Sequence, residues 1–524
     1  MISRTGKAFD IIIITGEYYD DHPLSPAGVI ARVLDAEGYN VGIIEKPLAS
    51  RDFLKLGKPS LCFCVTSGSI DSMLNNYTPF KKPRLADRHS KTLGMPDRAV
   101  IVYSNGIRQN FKNAFIVIGG VEASLRRFAH YDYWDNRVRR SLLLDSRSDV
   151  LVYGNGEKQI VEIASRLKAG EGIKGIRGTC VLSKELPAGF KLLPSCKEVS
   201  ADTVKFCRMQ ALFSNYENLA QEYDNNYVLQ YRYPAYTPAD LDRIYSLGYK
   251  RKLHPASLLG MAKFSVVTHR GCIGNCNFCS LALHQGNRII SRTEESILKE
   301  IAGITKHPEF KGYIDDLGGP SANMYGMDCL TGPENGCDGR CRQCGTVDLS
   351  HSRAARLLEK ARNIKGVKKI FVRSGIRYDL AMKAEGYLKE LFEHHISGCL
   401  KIAPEHLSGG VLALMNKPGG GFYDFVDFFN LQNKSRKQYL KYYFMIGHPG
   451  DGPESVKFLA RELSAKKITN LEQFQFFTPT PMTVSACMYW TEMNPFTMEK
   501  IKVAKDYRTK KEMKRILLGL TGKQ

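Results

Sequence analysis

Three thiols at x3 and x2 spacing, Cys272-Ile273-Gly274-Asn275-Cys276-Asn277-Phe278-Cys279, constrain this chain more than any other stretch. They follow directly on the apolar run Phe264-Ser265-Val266-Val267-Thr268, which reads as a strand. Soft thiolates select zinc, copper(I) or iron–sulfur clusters. Three close thiols without a local fourth ligand suit a 4Fe–4S cluster with one iron left open. A closed zinc site needs a fourth ligand, and buried thiols need no metal at all.

CxxxCxxC with an aromatic residue before the last cysteine resembles the signature of radical S-adenosylmethionine (SAM) enzymes. The resemblance implies a 4Fe–4S cluster on Cys272, Cys276 and Cys279 whose open iron is chelated by SAM. It also implies reductive cleavage of SAM to a 5′-deoxyadenosyl radical that abstracts a substrate hydrogen.

The remainder of the chain reads as α/β. At 524 residues it is long enough for about two to four domains. In the first 165 residues, apolar strands at 9–16, 41–44, 61–65, 114–120 and 150–157 alternate with helical patterns such as Pro26 to Glu37. Ligands of such parallel sheets sit outside the carboxyl ends of the strands. That places Thr15-Gly16, Ser67-Gly68-Ser69, Gly119-Gly120-Val121-Glu122 and Gly154-Asn155-Gly156-Glu157 on one rim. The rim resembles the Rossmann-like, cobalamin-binding-like domain that precedes the barrel in one class of radical SAM enzymes. The DxHxxG motif of axial-histidine sites is broken here: Asp20-Asp21-His22-Pro23-Leu24-Ser25 has serine at the glycine position. The reading therefore favours a domain that keeps the fold and binds substrate or no small molecule, with cobalamin left open. In Phe128 to Trp134, His130 and Asp132 can position substrate, while the aromatic residues more readily close an interdomain surface.

Residues 166–255 are weakly patterned and read as a bridging segment. From 256 to 497, strands expected at 264–269, 312–317, 368–373, 398–403, 441–446 and 473–477 alternate with helices, among them Glu294 to Ile304 and Ser352 to Asn363. Six such units suit the partial (β/α)6 barrel of radical SAM enzymes, with chemistry at the strand C-termini. There the chain carries Asp315-Asp316-Leu317-Gly318-Gly319-Pro320, Arg373-Ser374-Gly375-Ile376-Arg377, Pro404-Glu405-His406 and Gly447-His448-Pro449-Gly450. By resemblance, the Gly318-Gly319 carbonyls accept from the SAM ammonium. Glu405 can accept from its ribose or amino group, and Arg377 can pair bidentately with its carboxylate. Ser374 and His448 complete the expected cofactor contacts. Glu405 and Arg377 serve equally well as barrel ion pairs. His406 and His448 suit general acid/base work, or simply turns beside proline.

A second group, Cys329…Cys337-Asp338-Gly339-Arg340-Cys341-Arg342-Gln343-Cys344, lies in a Cys-rich insertion, 329–344, and suits an auxiliary 4Fe–4S cluster or structural zinc. Seven of fourteen cysteines crowd between 272 and 344 at ligand-like spacing. No signal-peptide pattern precedes Ile11, and no apolar stretch is long enough to span a membrane, so a reducing, cytoplasmic setting is expected. A net charge of +22 favours polyanionic partners, an RNA or ribonucleoprotein among them, or else only serves solubility. The basic C-terminal helix, 498–524, either grips phosphates or presents a solvated face.

Over nearly its full length the chain resembles the YgiQ family of radical SAM proteins. The shared stretches are Thr15 to Pro23, Asp71-Ser72-Met73…Asn76-Tyr77-Thr78, Pro96 to Ser104, Ile118 to Tyr133, Val152 to Glu157, the cysteine loop, Ser374 to Leu380, Leu400 to His406 and His448-Pro449-Gly450. The resemblance implies a radical SAM enzyme of unassigned substrate, drawing electrons from a flavodoxin- or ferredoxin-type donor. The substrate is read as RNA or protein. The alternatives are a small metabolite, with cobalamin-dependent methyl transfer as one version, and a non-enzymatic iron–sulfur sensor or RNA-binding module.

Overall fold

A computed structural model describes residues 8–84, 94–330, 341, 345–434, 436–468 and 471–520. The chain divides into two compact units. One comprises Met1–Ala235, Leu247–Gly260 and Thr480–Glu499; the other comprises Tyr236–Ser246, Met261–Pro479 and Lys500–Gln524.

The first unit is built on strands β1 (Ile11–Thr15), β2 (Val41–Glu45), β3 (Cys62–Thr66), β4 (Ile116–Ile118), β5 (His130–Asp132), β6 (Arg137–Arg139), β7 (Val150–Val152), β8 (Thr179–Ser183), β9 (Lys191–Leu192), β10 (Leu219–Tyr223) and β11 (Asn226–Gln230). Nine of them form one sheet in the order β2-β1-β3-β4-β7-β8-β11-β10-β9. The first five run parallel, and β7–β8, β8–β11 and β11–β10 are antiparallel. Every residue of Ile11–Thr15 is buried, which explains its unbroken apolar run: a strand covered on both faces has no polar side to alternate with. The helix Pro26–Ala36 starts where Ser25 accepts from the Gly28 N–H and proline takes the first turn. Its Ala27, Ala31 and Leu34 pack on the sheet.

Two expectations about the borders change. The segment expected to bridge, 166–255, supplies β8 to β11 of the same sheet. Residues 480–499, expected to close the barrel domain, pack with the first unit. There Tyr131 of the β5–β6 hairpin stacks on Trp490 at 4.8 Å. The aromatic run therefore fills the interior of its own unit. Asp132 accepts from the Trp134 and Asp135 N–H groups and pairs with Arg98, and His130 contacts the Phe128 carbonyl, so both hold the hairpin.

The second unit carries β12 (Val266–Val267), β13 (His269–Arg270), β14 (Ile290–Ser291), β15 (Tyr313–Ile314), β16 (Leu317–Gly318), β17 (Lys369–Ile370), β18 (Cys399–Glu405), β19 (Tyr439–Ile446) and β20 (Leu471–Phe476). The pairings β12–β16, β15–β17, Ile376 with Ile402, β18–β19 and β19–β20 are all parallel and follow chain order. Helices Glu294–Ile304, Ser352–Arg362, Phe422–Gln432 and Pro453–Ala465 alternate with them. Ile297, Ile301, Leu357, Phe425, Phe429 and Leu459 turn one apolar stripe each into a shared core. Each such side chain contributes about 1.5–3 kcal/mol on burial. The basic C-terminal helix spans Tyr507–Leu520, and its Met513 and Leu517 join that core. Among the described residues no helix is long and apolar enough to cross a membrane.

Candidate active site

The cysteine loop leaves β13 through Gly271, held at φ +86°, where an added Cβ would collide with the Arg288 carbonyl oxygen. The loop is then pinned at both ends. The Cys272 N–H donates to the Gly286 carbonyl (3.2 Å), and the Asn277 N–H and Nδ2 donate to the Met415 and Leu414 carbonyls (2.9 Å each). Asn416 Nδ2 returns a bond to the Asn275 carbonyl at 2.8 Å. All three thiols are reduced and half-buried. Burial pushes the Cys272 thiol up and the Cys279 thiol up to about 12; N–H groups of Gly274 and Asn275 at the one, and of Leu281 at the other, oppose it. Among the described residues, no three His, Cys, Asp or Glu side chains gather around a single-ion position.

Arg377 stands over this loop. Its Nη1 lies 3.8 Å from Cys276 Sγ, while Nε and Nη2 form a fork on Asp379 at 2.8 and 2.6 Å. The fork expected to hold a ligand carboxylate is thus engaged inside the chain. A Cβ on Gly274 would meet the Arg377 guanidinium, which explains a glycine between the first two cysteines. Asn323 clamps the Arg377 backbone from both sides: its Oδ1 accepts from the N–H (2.8 Å) and its Nδ2 donates to the carbonyl (3.0 Å).

The other expected residues arrive at the same strand ends. Gly318 pairs with Val267, and its carbonyl already accepts from the Thr268 N–H at 2.8 Å. Gly319 lies on the buried His269 imidazole, where a Cβ would fall 2.5–2.8 Å from three ring atoms. Burial holds that imidazole neutral, its pKa lowered to about 3. Ser374 Oγ and N–H donate to Asp316, whose carboxyl is pushed up by burial. Glu405 sits beyond an irregularity in the β18–β19 register with φ +67°, a conformation that costs a non-glycine residue about 1–3 kcal/mol and marks functional sites. It faces Lys417 Nζ at 3.4 Å; burial raises its pKa, and Lys417 and then Arg377 oppose that. His448 is fully buried, contacts the Pro449 carbonyl through Nδ1 (2.8 Å) and meets the Phe278 ring edge-on at 6.3 Å between centroids. Burial lowers its pKa to about 4. His406 Nε2 lies 3.5 Å from Asp451, and Asp451 in turn accepts from the Gly447 N–H at 2.7 Å. Both histidines hold turns, His406 by accepting from the Ser408 N–H at 3.0 Å, and burial keeps His448 neutral.

Of the second cysteine group, Cys341 is buried with Ile273, Met324 and Val347, and Cys329 pairs its backbone with Val347. Cys337 and Cys344 lie outside the described residues. Sequence reasoning did not single out Gly271, His269, Asn323, Asp379 or Lys417. Only Asp379, two residues beyond Arg377, left a signal there: a carboxylate that near can claim a guanidinium.

On the rim of the first unit, Glu17 accepts from Ser69 Oγ at 2.5 Å and its side chain fills the space beside Gly68, between the ends of β1 and β3. Asp20 accepts from the His254 N–H (2.7 Å) and Ser257 Oγ (2.6 Å). His22 is fully buried. Its Nδ1 accepts from the Leu24 N–H and its Nε2 faces Arg251 Nη1, each at 3.1 Å.

Comparison with known proteins places this geometry. Residues 1–266 match the family model described as Radical SAM N-terminal, and residues 472–520 match a domain of unknown function, DUF3362. A UPF0313 protein of Methanosarcina mazei is 42% identical, covering 98% of this chain and 92% of the relative. A UPF0313 protein of Clostridium botulinum is 44% identical, covering 98% and 85%. Among solved structures, the radical SAM methyltransferase TsrM from Kitasatospora setae, with tryptophan substrate and a SAM analogue bound, matches with a TM-score of 0.53 at 15% identity, over 90% of this chain and 75% of that one.

Proposed function

Since the chain belongs to the UPF0313 family, the YgiQ family of radical SAM enzymes, we propose that it reductively cleaves SAM at the Cys272–Cys279 loop and modifies an RNA or protein substrate. One observation carries this reading: the three thiols share a pinned loop shortly after the parallel strand β12, with a guanidinium on the middle sulfur. N–H groups of Gly274 and Asn275 turned to the Cys272 sulfur suit a thiolate ligand. When bound and reduced, a 4Fe–4S cluster supplies the electron that splits SAM into methionine and a 5′-deoxyadenosyl radical.

The chain's own residues supply the rest. The parallel strand succession is read as a partial (β/α)6 barrel following a Rossmann-like domain. Its strand ends carry Gly318, Gly319, Ser374, Glu405 and His448, which on this reading line the cofactor site. Glu405, held beside Lys417, is placed to accept from a hydroxyl or ammonium, while Gly319 lets the strand end pack directly on the His269 imidazole. Arg377 holds Cys276 rather than a ligand carboxylate. His448 and Phe278 exclude water from one flank. A flavodoxin- or ferredoxin-type donor in the cytoplasm completes the reading. On the same reading Cys329 and Cys341 join Cys337 and Cys344 as the ligands of a second cluster or of zinc.

The second reading is cobalamin-dependent methyl transfer, motivated by the fold shared with TsrM. Here the residues do not fit an axial-histidine corrinoid. Both His22 nitrogens are engaged inside the chain, and Glu17 takes the crevice between β1 and β3 where a sheet of this order receives ligands. Purification with cobalamin supplied that yields no corrinoid absorbance removes this version. For the main reading, wild type and Cys276→Ala are reconstituted anaerobically, iron and sulfide are counted, and SAM cleavage is assayed with dithionite. Loss of one cluster and of all 5′-deoxyadenosine in the variant is expected. A wild type that holds zinc and cleaves no SAM ends the enzyme reading in favour of a binding module.

A further inference from the structure

The helix Tyr507–Leu520 is amphipathic, and its buried face, with Met513 and Leu517, lies against the helix Pro453–Ala465. What the two helices turn outward is basic. Lys457 and Arg461 on one, Arg508, Lys511 and Lys514 on the other, and Lys502 just before it are all exposed. Of these, Lys457 pairs with Glu454; the other five make no ion pair among the described residues. The acids nearby are few and partly committed. Glu454 is held by Lys457, Asp506 caps its helix through the Thr509 N–H at 2.8 Å, and Glu512 is the remaining exposed carboxylate. Lys510, which the sequence counts with the others, is buried and takes no part.

Two exposed aromatic side chains lie on the same pair of helices, Phe458 at 38% and Tyr507 at 55% of full exposure. The face also begins at the site. The Gly450 N–H donates to the Lys502 carbonyl at 2.8 Å, so the strand of chain feeding the basic helix is tied to the loop that carries His448. Pro453 follows Gly450 by three residues, and Tyr507 follows Lys502 by five.

We propose that this two-helix face docks single-stranded or unpaired RNA and delivers it to the strand ends of the same unit. It names the substrate class for the reaction above and rests on that reading only for the chemistry. Cations without internal partners gain by displacing counterions from phosphates, and exposed rings offer bases a surface to stack on. A lipid surface fits less well, because the apolar face of the helix is already spent on the protein core. An acidic protein would use the cations but leave the rings without stacking partners.

The test is fluorescence anisotropy with the full chain and a labelled 20-nucleotide oligo(U), repeated across salt concentrations. Wild type is compared with the triple variant Arg508→Gln, Lys511→Gln, Lys514→Gln and with Phe458→Ala, each checked for unchanged melting and iron content. Wild type should bind with strong salt dependence. The triple variant should lose on the order of tenfold in affinity, and its slope of log K against log salt should be shallower by about 2, at about 0.7 per phosphate contact. Phe458→Ala should weaken binding without changing the slope. Equal affinity of wild type and triple variant overturns the proposal, as does polyglutamate competing as well as oligo(U). Salt-dependent binding by a reconstituted wild type that cleaves no SAM sinks the radical reading and leaves this one standing.

Discussion

Arg377 Nη1 lies 3.8 Å from Cys276 Sγ while the other edge of the same guanidinium is locked on Asp379. The cation is therefore fixed in place before any ligand arrives, and it points at sulfur. Hydrogen bonds and charge at the sulfurs set the potential of an iron–sulfur centre. Arg377→Met should shift the midpoint potential of the reconstituted protein to more negative values. A charge-assisted bond worth about 1.5–3 kcal/mol caps the shift at roughly 130 mV for one electron. Arg377→Lys should fall between. An EPR-monitored titration reads this, and an unchanged potential in Arg377→Met with full iron content would refute it.

Gly271 sets the exit angle of the cysteine loop. Gly271→Ala combines a positive φ with a collision against the Arg288 carbonyl. It should cost about 1–3 kcal/mol and release the Cys272 N–H from Gly286. Iron per chain after reconstitution should drop severalfold in Gly271→Ala and stay normal in Gly170→Ala, whose glycine also has positive φ but faces open space at a helix end.

Which of these features could be read beforehand follows from what each residue packs against. Ile11–Ile14 announced itself because burial of a strand on both faces leaves a run of apolar letters. The Cys272, Cys276 and Cys279 spacing was legible because metal ligands impose local distances. The antiparallel half of the first sheet was not. Its β10 and β11 bury Gln221 and Gln230, which serve the Ala129 N–H and Arg127 Nε, so polar letters stand where strand patterns call for apolar ones. The assignment of Thr480–Glu499 to the first unit depends on Trp490 meeting Tyr131, a pairing across more than three hundred residues that no local pattern encodes. The Arg377 fork was assigned to a ligand because a guanidinium at a strand end suits one. The nearby Asp379 was a competing partner in the sequence, and the turn that sets the two side by side decides in its favour.

His130, in the first unit, offers a pH test. It is buried, and desolvation first, then Arg126, lower its pKa to about 4. The unfolded chain titrates near 6.5, so between about 6.5 and 4 the unfolded state binds more protons than the folded one. Stability is therefore full above that window and falls as pH drops through it, by on the order of 3 kcal/mol for this group. Denaturant melts of His130→Gln should show a shallower decline between pH 6.5 and 4 than wild type. Parallel slopes in the two proteins would exclude His130 as a source.

Asn323 links the Arg377 backbone to His351. The His351 Nδ1 lies 2.8 Å from the Leu349 carbonyl and so carries the proton, which leaves Nε2 to accept from Asn323 Nδ2 at 3.0 Å. Asn323→Leu removes four bonds, the longest from Ser321 Oγ, at a fully buried position and strands the Arg377 N–H and carbonyl. A loss of about 2–4 kcal/mol is expected. Asn323→Asp keeps the acceptor for the Arg377 N–H but turns an oxygen toward His351 Nε2 and the Arg377 carbonyl. Protonation of His351 restores the first of these contacts, so His351, whose pKa burial lowers in the wild type, should titrate higher in this variant. Stability of Asn323→Asp relative to wild type should then improve as pH falls toward 6. If Asn323 acts on the cysteine loop through Arg377, its effect on the midpoint potential should vanish in an Arg377→Met background. Additive shifts in the double variant would instead assign Asn323 a purely structural part in the turn.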